Sequence, residues 1–405
     1  MRFFTALFLL LNYYFYFLFS MPYVVNQLNS YKMKYGLAVV SIILFLWVIT
    51  KNLLKLRITP PFFLVIGLYS VIFYNVFYSF FKYGIRSAAM IGRAAYPFLI
   101  CILFFPMHEL LRKEAYGKLA VRYLTVFNII ADILLLIQSV LYYRYQLVFM
   151  HIPAYEMKGE IGIRDGNIRI TFLDTMILFS LFVSMDKIGN RTETKLHVWN
   201  VLLSLGAIYF VSQTRSEILI CLVCMVICFM KRNRKMNLRN ICKMICAFFI
   251  LLFCISSIGR YVIEKFSSVP ETSITTRFDE LEYYIELFVQ NPLCGYGMID
   301  PQQSDPAAYK TLVHGPSMRF SITDIGIVGQ AARSGVLLLI WYFCYIKYIF
   351  HRKYFQIHTC MSVFILLSSI NLIILDTSRI IMIPFIFSLY ETDHTKNTKR
   401  IRGPE

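Results

Sequence analysis

Long apolar runs, separated by short polar segments rich in lysine and arginine, recur from one end of this chain to the other. No other feature limits its fold so severely. A helix needs about 20 apolar residues to cross a bilayer. Twelve stretches approach that length: roughly 3–20, 36–50, 61–81, 88–107, 121–142, 168–186, 197–212, 216–230, 241–262, 325–347, 357–375 and 377–390. In lipid, only helices and closed barrels satisfy their own backbone groups. These runs do not alternate apolar with polar residues, which excludes a barrel. The predicted fold class is therefore all-α, a polytopic helical membrane protein with about 12 transmembrane helices. Composition agrees: 58% of residues are hydrophobic and 16% charged, against about 45–50% and about 25% in soluble domains.

A net charge of +18 would point to nucleic acid in a soluble protein. In a membrane protein, basic residues gather in cytoplasmic loops instead. With the N-terminus inside, the inner loops hold Lys51, Lys55 and Arg57, then Arg112, Lys113 and Lys118, then Lys187, Arg191 and Lys195. The densest cluster, KRNRKMNLRNICK at 231–243, follows, then Lys347, Arg352 and Lys353, and the tail NTKRIR. The alternation holds through all twelve runs. It predicts cytoplasmic termini, membrane lipids as neighbours and no nucleic-acid partner.

This topology puts two long loops outside, about 143–167 and about 263–324. The chain then divides into spans one to nine (1–262), an extracytoplasmic loop (263–324) and the last three spans with a cytoplasmic tail (325–405). Neither a Gly-rich phosphate loop nor a dinucleotide fingerprint occurs, so a nucleotide-using cytosolic domain is not expected. The ten cysteines lie mostly within apolar runs. Cys221, Cys224 and Cys228 share a helical face without a histidine or carboxylate neighbour and read as small core residues.

The second loop carries most of the chemistry. In TTRFDELEYYIELFVQ (275–290), Phe278, Leu281, Ile285 and Phe288 fall on one helical face. That pattern predicts an amphipathic helix at the outer interface, with Thr276 as its N-cap. Asn291 and Pro292 should end it. Gly295 and Gly297 then allow a sharp turn or close approach to a ligand.

Of seven histidines, only His151 and His314 face outward in this topology. An imidazole is the usual general base, although a histidine in a surface loop often does nothing. Four arginines share the outer side: Arg169 at a span end, Arg215 in the tight hairpin SQTRSE, Arg277 on the amphipathic helix, and Arg319 five residues after His314. Guanidinium groups grip phosphate bidentately and stay charged where water is scarce. Around one outer pocket they would suit a lipid diphosphate. Arg93, Asp132, Asp174 and Arg333 lie in or near spans, where charge is costly. They read equally well as functional groups or as pairs that hold helices together.

Several of these residues occur in an order that resembles a known family. The hairpin Gln213-Thr214-Arg215-Ser216, then Arg277, the Asn291-Pro292-Leu293-x-Gly295-x-Gly297 turn, and His314 followed by Asp324-x-Gly326-x-x-Gly329 resemble the O-antigen polymerase and O-antigen ligase superfamily. Family members commonly have His-Asn where this chain has His314-Gly315. The resemblance implies an inner-membrane glycosyltransferase whose active site faces the periplasm. It implies an undecaprenyl-diphosphate-linked oligosaccharide as donor, with inversion and without a metal or other cofactor. His314 would deprotonate the acceptor hydroxyl, and Arg215 and Arg277 would hold the diphosphate; Arg319 and Arg169 are expected as further contacts from their outer position and residue type, not from the resemblance. A chain-length regulator and a flippase would be its partners. Polymerase is the leading reading and ligase the alternative. A polysaccharide flippase or other transporter ranks third, because internal repeats expected of a transporter are missing.

Overall fold

In a computed structural model, the residues described are 30–52, 59–84, 88–112, 114–150, 163–164, 167–171, 173–192, 194–232, 271–299, 322, 324–371, 373–376 and 379–402. The fold is helical throughout apart from one small hairpin. Helix α1 is Ser30–Asn52 and α2 is Pro60–Tyr83. Helix α3, Ala88–Ala95, passes through a 3-10 segment, Tyr96–Leu103, into α4, Phe104–Leu111. Pro97 lacks the N–H that an α-helical register would use there. Helix α5 is Glu114–Tyr145. Strands β1, Ile163–Arg164, and β2, Asn167–Ile168, pair antiparallel. Then come α6, Asp174–Gly189, α7, Thr194–Ala207, with a terminal π turn at Ile208–Ser212, and α8, Arg215–Arg232. After α9, Glu271–Gln290, follow α10, Gly326–Ile349, α11, Arg352–Phe355, α12, Thr359–Ser368, and α13, Met382–Arg402.

Among the described residues, five helical stretches are long and apolar enough to cross a membrane: Pro60–Tyr83, Ala88–Leu111, Ala115–Tyr145, Lys195–Ser212 and Gly326–Ile349. The count of twelve is not reproduced. The runs 3–20 and 241–262 lie outside the described residues. The run 168–186 forms only the 16-residue α6, because its first part enters β2 and a turn. Run 357–375 contains the 10-residue α12, and 377–390 begins its helix at Met382.

Contacts sort the helix ends into two groups. At one end, Asp174 meets the Ser212 hairpin, Ile327 N–H donates to Ser369 O at 2.8 Å, and Tyr83 Oη donates to Tyr296 O at 2.6 Å. At the other, Asp186 accepts from the Cys360 and Met361 N–H groups at 2.8 and 3.1 Å, and so caps the start of α12. Lys231 lies 3.9 Å from Asp186, and Tyr354 donates to Glu391 at 2.7 Å. Between the two ends, helices α5, α6 and α7 are joined by a buried amide and hydroxyl ladder. Asn128 and Ser204 donate to Asp132 Oδ2 at 2.8 and 2.7 Å, and Asn200 donates to the Ser180 and Ser184 hydroxyls at 3.1 and 2.9 Å. Such bonds hold helices together where burial of apolar surface adds little. Cys221, Cys224 and Cys228 are buried core residues.

Candidate functional site

The first part of the site is the hairpin between α7 and α8. The π turn at Ile208–Ser212 ends in Gln213, whose φ of 54° is left-handed, and Arg215 is the first residue of α8. Three side chains beneath it are buried: Asp174, Ser212 and Glu217. Ser212 Oγ lies 2.9 Å from Asp174 Oδ2, 2.9 Å from Thr214 Oγ1 and 3.2 Å from Glu217 Oε2. A hydroxyl has one proton and serves one carboxylate at a time, so the remaining negative charge needs other cover. Arg169, just after β2, donates through Nε to Ser212 O at 3.0 Å. Arg379 donates to Asp376 Oδ2 at 3.3 Å. Both arginines lie within electrostatic reach of Glu217. Buried carboxylates persist only with such compensation.

The second part is the turn after α9. The helix stops at Gln290, and residues 291–299 fold onto α10. That helix is broken at Gly335, with φ 73° and ψ −171°. In an unbroken helix Val336 N–H would donate to Ala332 O. Here Val336 N–H donates to Pro292 O at 2.8 Å, and Ala332 O accepts from Tyr296 N–H at 2.8 Å. Arg333 O accepts from Gly297 N–H at 2.9 Å, and Ser334 O from Asn75 Nδ2 at 3.2 Å. Loop and helix exchange the backbone bonds that the break would otherwise forfeit. Gly295 and Gly297 both have positive φ, and a Cβ on Gly295 would strike the Ala332 carbonyl. Close approach to another segment of this chain is thus what these glycines permit. Ser79 of α2 closes the arrangement by accepting from Met298 N–H at 2.7 Å.

The structure sets Arg169 against the Arg215 hairpin and sets Asn291, Pro292, Gly295 and Gly297 against α10 and α2. Arg277 is exposed on α9, and among the described residues no hydrogen bond or ion pair joins it to the hairpin. His314, Arg319 and His151 lie outside the described residues.

One expectation for α9 is corrected. The helix begins at Glu271, so Thr276 is inside it and is no N-cap. The face packed inward carries Glu280 and Tyr284, whereas Phe278, Ile285 and Val289 are exposed. The helix packs against α10, with Phe288 partly buried against the core, while Phe278 and Ile285 point outward as they would on a helix lying at a lipid interface.

Glu217, Ser212, Asp376 and Arg379 were not singled out from the sequence. A weak signal was present, because Asp376 and Arg379 interrupt an otherwise apolar stretch.

Together, the membrane-length helices, the clamped arginine hairpin and the loop docked into a broken helix define a polytopic helical membrane protein. Residues 199–323 match the family model described as O-Antigen ligase. The match supports the O-antigen polymerase and ligase superfamily for this chain, whose members are glycosyltransferase-like membrane enzymes of lipopolysaccharide biosynthesis. No curated protein and no solved structure matches the chain.

Proposed function

We propose that this protein is a polysaccharide polymerase of the cell membrane. It transfers a glycan from undecaprenyl diphosphate to the end of another lipid-linked repeat, with inversion and with its site on the periplasmic face. The observation that carries this reading is that the Arg215 hairpin held by Arg169 and the glycine turn after the Arg277 helix both lie within or beside the matched residues 199–323.

The chemistry fits those residue types. As the sugar leaves, negative charge builds on the diphosphate, and preorganised guanidinium groups stabilise it. Arg215 and Arg277 take that role, with Arg169 and Arg319 as further diphosphate-binding residues. His314 removes the proton from the attacking hydroxyl. The division into spans 1–262, loop 263–324 and spans 325–405 belongs to this proposal, as does the full count of twelve.

The deciding experiment supplies the purified protein with a single lipid-linked repeat. Progressive lengthening supports the polymerase. Transfer that needs a lipid A core acceptor supports the alternative, a ligase. Movement of the lipid-linked repeat across a bilayer without transfer would favour the transporter and end the proposal.

A further inference from the structure

The reading above leaves Glu217 without a task, and the inference drawn here deepens that reading and rests on it. Glu217 stands in the first turn of α8, two residues after Arg215, and is 1% exposed. A glutamate in a first helical turn usually faces water and favours the helix dipole from there. This one points inward. Its Oε2 meets the Ser212 hydroxyl at 3.2 Å, while Oε1 has no hydrogen-bond partner among the described residues. Arg379 and Arg169 supply the opposing charge. They come from separate segments. Arg379 precedes α13 and is held by Asp376, and Arg169 follows β2 and holds the Ser212 carbonyl. One carboxylate therefore lies beneath the hairpin, bonded to Ser212 and within electrostatic reach of cations from two other segments.

An apolar side chain would fill this space at lower desolvation cost. What it could not do is meet the Ser212 hydroxyl and so hold the hairpin. A group that binds a leaving diphosphate has to be held to within about 0.5 Å, and a misplacement of about 1 Å can cost on the order of 100-fold in rate. We propose that Glu217 is a positioning residue for Arg215: by holding the Ser212 hydroxyl from a buried site two residues on, it fixes the hairpin backbone that carries Arg215.

The test is a double-mutant cycle on the full-length protein, read as transfer from a polyprenyl-diphosphate-linked repeat. Glu217→Gln keeps the volume and removes the charge. In the wild-type background it should lower kcat/KM by about 10- to 100-fold, chiefly in kcat. In an Arg215→Lys background the same change should cost less than about 2-fold, because the group it positions has already been changed. Equal fold-losses in both backgrounds, or no loss in the wild type, would overturn the proposal. Should Glu217→Gln fail to fold, Ser212→Ala removes only the intervening hydroxyl. It is read in the same cycle, where a loss confined to the wild-type background supports the proposal and equal losses overturn it. Failure of the underlying reading looks different: Arg215→Lys alone would then turn over like wild type.

Discussion

Gly335 of α10 meets Leu293 of the turn backbone to backbone, and a Cβ on Gly335 would overlap the Leu293 carbonyl. The contact exists because α10 breaks there, in a conformation that is almost exclusive to glycine. Gly335→Ala should destabilise the protein by about 3 kcal/mol, combining backbone strain with the overlap. Thermal unfolding in detergent reads this as a clear fall in Tm. An unchanged Tm would mean that the loop is not docked as described.

Gly295→Ala tests the same junction from the loop side. Its φ is 63°, and the added Cβ would strike the Ala332 carbonyl. The variant should lose stability by a similar amount, and combining it with Gly335→Ala should cost less than the sum, because one docking event is lost only once. Strict additivity in the measured Tm shifts would contradict this.

At the opposite end, Asp186 is 2% exposed and caps α12. Asp186→Ala leaves two backbone donors without their acceptor and removes the carboxylate beside Lys231, and should cost about 2–3 kcal/mol. Asp186→Asn retains one acceptor oxygen and should cost roughly half of that. The ranking, read from thermal unfolding, is the check. A larger loss for Asn than for Ala would refute the capping role.

Arg333 is buried, its Nη2 donates to Ala94 O at 2.8 Å, and its Nε has no partner among the described residues. No carboxylate pairs with it among those residues. Arg333→Met gives up one charged hydrogen bond but also relieves a desolvated cation. These effects oppose each other, so stability should stay within about 1 kcal/mol of wild type. A loss of several kcal/mol would show that the cation is fully compensated.

How much of this was legible in the sequence depended on how local each signal is. Asn291-Pro292 and the two glycines announce a turn because their backbone restrictions act on the spot. The core role of Cys221, Cys224 and Cys228 followed from apolar spacing in the same way. The docking of that turn into α10 was not legible, because Gly335 looks like any glycine in an apolar helix until the partner loop is seen. The packed face of α9 was not legible for a related reason. The periodicity located the apolar stripe, but Glu280 and Tyr284 are the residues buried, leaving Phe278 and Ile285 exposed. The cluster beneath Arg215 joins residues 38 positions apart, Asp174 and Ser212, with Arg379 farther on still, and no short-range spacing rule connects them.

The central claim is that sugar is transferred from a lipid diphosphate held by arginines at the hairpin, with His314 as the base. The most direct measurement compares transfer by wild type, Arg215→Lys and His314→Ala on one lipid-linked donor in vitro, at matched amounts of folded protein. Wild type should build polymer, Arg215→Lys should fall by at least about 10-fold because a lysine lacks the bidentate fork, and His314→Ala should be slower by about 100-fold or more. Full transfer by both variants would contradict the account.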